Sequence, residues 1–540
     1  MREKSSSTKG FMILSIAGIF GKVLSAFYVP FLNAIIGDSG IGMYSRSYDI
    51  FMFVYAITSM GCQPAVAKVV AELRALGNER DAIRALKISR KVYGIIGAVL
   101  SVLLILLAYP LSHLVKIEDS MYAIMALAPS IFFTAILSSY RGYFQGKNEM
   151  TGIAVSQVLE QILNVVVSLL FAALLFTIST PMGSAGGTVG TSVGAIFAVF
   201  YLVHIYDKKR FEEEALRLTT RERKVSSKAI LRKLIRYAFP ITLSAGIQNL
   251  GGVVDMMNVN LRLLHAGFTQ IQSASLNGLL YKYKTLIGVP LIIVTALTTI
   301  VLPAISKAAV LKDRKSLIRN SNFAFRITFI ITIPSAVGLA VLSNEIYTVL
   351  YRDTRGAYLM QLGAVILIFT ALAQVQSVIL QGINKFYPMI LSFTIGIIFK
   401  IAANYIFVGI RYINIMGVLI GNFLCFVIPV ILNHRILRRS MKARIPLIRN
   451  CVKPIISAVV MAGVILILRQ PAIILGSFFS SIRIVYIIYT LIYTILLVGI
   501  GGFVYVYLMI VLGGIRRMDI ESLSPKVYGM LPRFLRKKLL

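Results

Sequence analysis

The sequence predicts an all-α polytopic membrane protein, and three observations carry that reading. Of its 540 residues, 57% are hydrophobic and only 14% charged, whereas an ordinary soluble domain has roughly 25% charged residues. Apolar runs of about 20 residues, the length a helix needs to cross a bilayer, recur from one end of the chain to the other. Lys and Arg crowd alternate connections between those runs, the charge signature of membrane topology.

The runs fall near residues 10–36, 47–70, 92–115, 121–144, 151–177 and 184–206, then 234–264, 276–304, 321–345, 358–383, 388–410 and 412–434, and finally 452–470 and 483–512. They predict about fourteen transmembrane spans. The first follows a basic start, MREKSSSTK, yet it is too long for the apolar core of a cleavable signal and lacks a small-residue cleavage site, so it is expected to remain as span 1. The basic connections are 68–91, 207–233, 307–319 and 435–453, with the tail RFLRKKLL; the intervening GDSGIG (37–42) and STPMGSAGG (179–187) hold no cation. By the positive-inside rule the basic connections and both termini are cytoplasmic, which agrees with an even number of spans. The net charge of +35 is then a matter of topology and of attraction to anionic membrane lipids. It does not call for nucleic acid as a partner.

Two short motifs recur in register. PAVAK (64–68) ends span 2 and PAISK (303–307) ends span 8, while FQGKN (144–148) is echoed by LQGIN (380–384); the separations are 239 and 236 residues. They predict two six-helix repeats: an N-lobe over 1–206 with spans 1–6 and a C-lobe over 234–434 with spans 7–12. A cytoplasmic linker at 207–233 joins them, and 435–540 adds spans 13–14 and a basic cytoplasmic tail. Parallel repeats of this kind put a substrate site at their interface near the midplane and alternate its exposure by rocking.

Ionisable residues inside a bilayer are costly and mark cavities or partners. Lys22 lies mid-span in span 1, Lys282 and Lys284 in span 8 (LLYKYKTLIGVP) and Lys400 in span 11 (GIIFKIAANY), while Arg46 and Arg262 lie near outer ends and Arg141 near a cytoplasmic end. Glu160 in span 5 and Asp255 in span 7 are the carboxylates set against them. Lys22 and Lys400 sit about ten residues, or roughly 15 Å of rise, from either end of their spans, farther than a lysine stem reaches. The surplus of cations points to an anionic substrate, and lysine, a strongly hydrated point charge, suits a diphosphate in water-filled space. Soluble-type catalysis finds no support: there is no Gly-rich phosphate loop or zinc-type His spacing, and Cys62, Cys425 and Cys451 have no partner at metal-ligand spacing. No cofactor is expected. Energy is left to a sodium or proton gradient or to the membrane potential.

The stretch SSYRGYFQGKNEMTGIAVSQVLEQILNVV (138–166) closely resembles the span 4–5 signature of the MurJ and stage V sporulation protein B group of lipid-linked-sugar flippases, in the MOP exporter superfamily. GIGMYSRSYDIFMFVYAITSMGCQPAVAKVVAEL (40–73) and YKYKTLIGVPLIIVTALTTIVLPAISKA (281–308) resemble the same group. The resemblance implies a transporter, not an enzyme: a flippase of the bacterial plasma membrane that carries lipid II, the undecaprenyl-diphosphate-linked peptidoglycan precursor, to the outer leaflet. Its partners would be that lipid-linked glycan and the cell-wall synthesis machinery.

In that group cations of spans 1 and 8 hold the diphosphate, and Lys22 and Lys284 stand at the matching positions, as lysine where arginine is common. Some relatives bind a cation between spans 7 and 11, where Asp255 and Asn404 would supply oxygens, but Lys400 lies one turn from Asn404 and would take over the role of that ion. Lys400 and Asp255 are thus expected to shape the field of the cavity, with Arg46 and Arg262 guarding its outer mouth. Three alternatives fit less well or cannot be separated by sequence: a flippase for another undecaprenyl-linked polysaccharide unit or a sporulation paralogue, a multidrug and cation antiporter, and a membrane glycan polymerase or ligase.

Overall fold

In a computed structural model, residues 2–218, 225–443, 446–477 and 482–515 are described. The basic tail RFLRKKLL, part of the 207–233 linker and the side chain of Lys22 lie outside the described residues. The described chain is helical, with short 3₁₀ and π turns and no strand. Its helices are α1 (Arg2–Tyr55), α2 (Cys62–Ala75), α3 (Glu79–Leu114), α4 (Met121–Gly146), α5 (Met150–Phe176), α6 (Thr180–Lys208), α7 (Phe211–Leu218), α8 (Ser227–Val254) and α9 (Asn260–His265). They continue with α10 (Gln270–Val310), α11 (Arg314–Val341), α12 (Ser343–Tyr351), α13 (Ala357–Gly363), α14 (Ile366–Gly382), α15 (Phe386–Phe407), α16 (Met416–Met441), α17 (Leu447–Ser477) and α18 (Arg483–Val511).

Eleven described helices are long and apolar enough to cross a membrane, and twelve if the pair α13 and α14, bent by 56°, forms one broken span. The expected fourteen is therefore not reached by length and composition. The difference lies at two places. Residues 23–75 count as one run of 53, although Gly37 (φ 68°, ψ −178°) interrupts α1. The run in α8 is diluted by Gln248, Asn249, Gly251 and Gly252.

Local chemistry explains the helix boundaries. Asn78, Ser179, Ser226 and Asp313 each accept a hydrogen bond from the backbone N–H three residues on, at 3.0–3.3 Å, and so cap α3, α6, α8 and α11. Proline lies inside many of the long helices, as membrane helices allow.

The chain divides into two compact units, residues 1–285 with 393–421, and residues 286–392 with 422–540. In the first, α6 meets α5 through glycine: a Cβ on Gly186, Gly190 or Gly194 would come within 2.2–2.5 Å of the carbonyl oxygens of Phe171, Asn164 and Glu160. This spacing of four lets two membrane helices touch at the backbone. Its core includes the edge-to-face aromatic group of Tyr140, Tyr143, Phe144, Tyr206 and Phe211. In the second unit, α17 packs on α18 and α11. There Tyr505 donates to the carbonyl of Ile330 at 2.9 Å. Glu345, at the expected end of span 9, is buried and held by Arg469 Nε at 2.5 Å.

Candidate functional site

The ionisable residues that the sequence singles out gather in three places within the first unit. The central one joins α1, α8, α10 and α15. Lys284 Nζ on α10 donates to Asp255 Oδ2 at 3.1 Å and lies 3.7 Å from Asp49 Oδ2 on α1. Lys400 Nζ on α15 approaches the other oxygen of Asp255 at 3.0 Å and donates to the Gly251 carbonyl at 2.9 Å. Asn404, one turn further along α15, donates from Nδ2 to the same Asp255 Oδ1 at 3.0 Å.

Helix geometry sets this cluster up. Asp255 opens a π-helical turn, Asp255–Val259, at the end of α8, and such turns widen a helix locally and are frequent at functional sites. Gly252 leaves room for Asp49, whose Oδ1 would be 2.8 Å from a Cβ there, and Gly421 leaves room for Asn404, whose Oδ1 would be 2.2 Å from one. The cluster is graded in exposure: the side chains of Asp255 and Lys400 are 3% and 4% exposed, those of Lys284 and Asp49 28% and 23%. Two lysines and two aspartates balance. Asp49 is a second carboxylate beside the one expected at Asp255, and of Lys284 and Lys400 it is Lys284 that is partly open.

A second cluster joins α1 to α10 and α9. Lys282 Nζ is fully buried 2.6 Å from Asp38 Oδ1, so it lines no cavity. Arg46, also buried, donates from Nη2 to Asn260 Oδ1 at 2.8 Å and Ser273 Oγ at 2.9 Å. Asn260 in turn donates to the carbonyls of Val115 and Lys116, each at 2.8 Å. Here α1 and α10 touch at the backbone, for a Cβ on Gly42 would lie 1.8 Å from the Ala274 oxygen and one on Gly278 2.0 Å from the Asp38 oxygen. Arg262 is apart from this group, with its guanidinium carbon 4.1 Å from the ring centre of Tyr405.

The third place holds Glu160, which accepts from Arg141 Nη2 at 2.7 Å, while Arg141 Nε donates to Ser156 at 3.0 Å. Glu160 is therefore spoken for and does not reach the central lysines through any contact among the described residues. Lys22 lies on α1, and whether it joins a cluster falls outside the described side chains. Among the described residues no group of three His, Cys, Asp or Glu is placed to hold a metal ion.

With eleven or twelve helices long and apolar enough to cross a membrane among the described residues, the chain is a multi-pass membrane protein. The sequence profile of the polysaccharide biosynthesis protein family matches residues 7–309, and the chain belongs to that family. It is 24% identical over 416 residues to stage V sporulation protein B of Bacillus subtilis, covering 77% of this chain and 80% of that one. It is 23% identical over 418 residues to the lipid II flippase MurJ of the same organism, covering 74% and 77%. Its fold matches a structure of lipid II flippase MurJ in an inward closed conformation, with a TM-score of 0.65, 19% identity and coverage of 92% and 98%.

Proposed function

We propose that the protein is a flippase for an undecaprenyl-diphosphate-linked glycan in the bacterial plasma membrane, with lipid II as the substrate. The observation that carries this reading is Lys284, a partly open ammonium shared between two carboxylates. A diphosphate entering the site engages Lys284 and draws it from Asp49 and Asp255. Removing one partner of a buried pair leaves an uncompensated charge, at a cost of about 3–5 kcal/mol. Lys400 holds the second oxygen of Asp255, so Asp255 stays paired while Lys284 binds substrate. Lys22, on α1, is the second diphosphate ligand in this scheme. The two six-helix repeats expected from the sequence act as rocking lobes, driven by the membrane potential, with Lys400 in place of a dissolved cation.

A flippase for a different undecaprenyl-linked polysaccharide unit is the second reading, favoured by the near-equal similarity to stage V sporulation protein B and to MurJ. Depletion of a host's essential lipid II flippase, with this gene as the sole replacement, separates the two. Rescue is expected from the native gene and lost with Lys284→Ala at equal membrane expression, and Lys284→Arg is expected to retain part of it. Failure of the native gene to rescue, while it moves another undecaprenyl-linked glycan in proteoliposomes, overturns the assignment to lipid II.

A further inference from the structure

At the end of α16 the chain carries Arg435, Arg438, Arg439 and Lys442. Spacings of three and four residues put the three arginines on one face of the helix, and Lys442 follows just past its end. A cavity of about 610 Å³ is lined by these four residues and Ala443. Cations near a helix C-terminus are favoured by the helix dipole, but Arg435 with Arg439 and Arg438 with Lys442 are like charges four apart, which repel. Among the described residues no carboxylate forms an ion pair with any of the four. Basic residues in the connections of the first unit behave differently: Arg84, Lys87, Lys147, Lys209 and Lys233 each meet a carboxylate at 2.5–3.0 Å.

The arginine face is also held in shape. Arg314 Nε, at the start of α11, donates to the Met441 carbonyl at 3.1 Å, and its Nη2 donates to that of Lys442. Lys442 takes a left-handed conformation (φ 48°) that ends the helix. Both α16 and α17 are apolar and long enough to cross a membrane, so the end of α16 lies at the depth of lipid headgroups. Exposed apolar side chains adjoin it along the chain, Ile431 on α16 and Ile448 and Val452 on the first turns of α17.

We propose that this cavity binds the phosphate headgroup of an anionic phospholipid, with the arginines as ligands and the neighbouring apolar side chains against its acyl chains. Guanidinium matches phosphate in a two-pronged fork, and four cations that meet no carboxylate among the described residues supply the charge that such a headgroup neutralises. The apolar surroundings select a lipid over a free phosphate. This site is independent of the one proposed for transport.

The test is the melting midpoint of the full chain in nonionic detergent, with phosphatidylglycerol, phosphatidylcholine or inorganic diphosphate added at equal phosphate. Phosphatidylglycerol at saturation is expected to raise it by about 4 °C, and the other two not to. The variant R435Q/R438Q/R439Q is expected to lose most of that rise. A charge-matched control on the exposed start of α8, K228Q/R232Q/R236Q, is expected to keep it. Should the first triple variant fail to fold, R439Q alone reads the same titration and is expected to show a reduced rise. The proposal is overturned if phosphatidylglycerol has no effect, if diphosphate or phosphatidylcholine acts equally, or if the variants at α16 respond as the native chain or no less than the control.

Discussion

Two groups of cations in this chain have opposite surroundings. Lys284 and Lys400 lie between Asp49 and Asp255, whereas Arg435, Arg438, Arg439 and Lys442 line their cavity with no carboxylate among the described residues. Burial makes the difference. A charge removed from water must be paired and hydrogen-bonded, and Lys400 meets Asp255 at 3.0 Å and the Gly251 carbonyl at 2.9 Å. A charge at the membrane boundary keeps its water and tolerates like neighbours. Cations of the first kind are legible only with their partners; those of the second kind mark a surface that awaits one.

The sharpest test of that contrast is Asp255→Asn. It leaves Lys400 buried with neutral neighbours and is expected to lower unfolding stability by about 3–5 kcal/mol and to abolish flipping in proteoliposomes. Arg439→Gln should stay within about 0.5 kcal/mol of the native protein. The double variant Asp255→Asn, Lys400→Met removes both charges and should regain much of the stability but not the transport. Equal stability of Asp255→Asn and Arg439→Gln in a denaturant titration would break the comparison.

A smaller effect is expected at Gly421, where an added methyl must displace Asn404. Gly421→Ala should cost about 1–3 kcal/mol, through the lost hydrogen bond to Asp255 and overpacking, and should slow transport without abolishing it. Gly463→Ala, with nothing within 4 Å, is the neutral control for the same measurements. The least change is expected when choline replaces sodium at fixed membrane potential, since Lys400 already occupies one side of Asp255. The native rate should hold, and Lys400→Asn should introduce a sodium requirement. A native rate that collapses without sodium and is insensitive to it in Asp255→Asn would refute the built-in charge.

Much of the fold was legible, because apolar runs of spanning length are a strong signal and the helices follow them. Of the central cluster, Asp255, Lys284 and Lys400 stand out because ionisable groups are rare within such runs, and Asn404 through the family resemblance. Asp49 does not. It lies three residues after Arg46 at the edge of an expected span, where a carboxylate reads as a boundary. Asp38 was hidden in a stretch, GDSGIG, that reads as a loop; the structure confines the break to Gly37 and makes the rest helix, so that Asp38 turns inward to Lys282. Glu345, the last residue of the expected span 9, likewise reads as a boundary, and only the fold brings Arg469 to it from 124 residues away. Pairing across helices has no signature in hydropathy, which reports how far a residue is from the end of its own run and nothing of what faces it.

The contact of α1 with α10 at Gly42 and Gly278 carries a consequence of its own. Two glycines meeting carbonyl oxygens bury little side-chain surface, so separating them exposes no leucine or phenylalanine, each worth about 1.5–3 kcal/mol when fully buried. Beside them Lys282 meets Asp38, Arg46 meets Ser273 and the ring of Tyr44 meets that of Tyr281 edge on; water replaces the polar bonds at a net cost of about 0.5–3 kcal/mol each. A single methyl at position 42, 1.8 Å from the Ala274 oxygen, would act as a wedge that keeps the contact from closing.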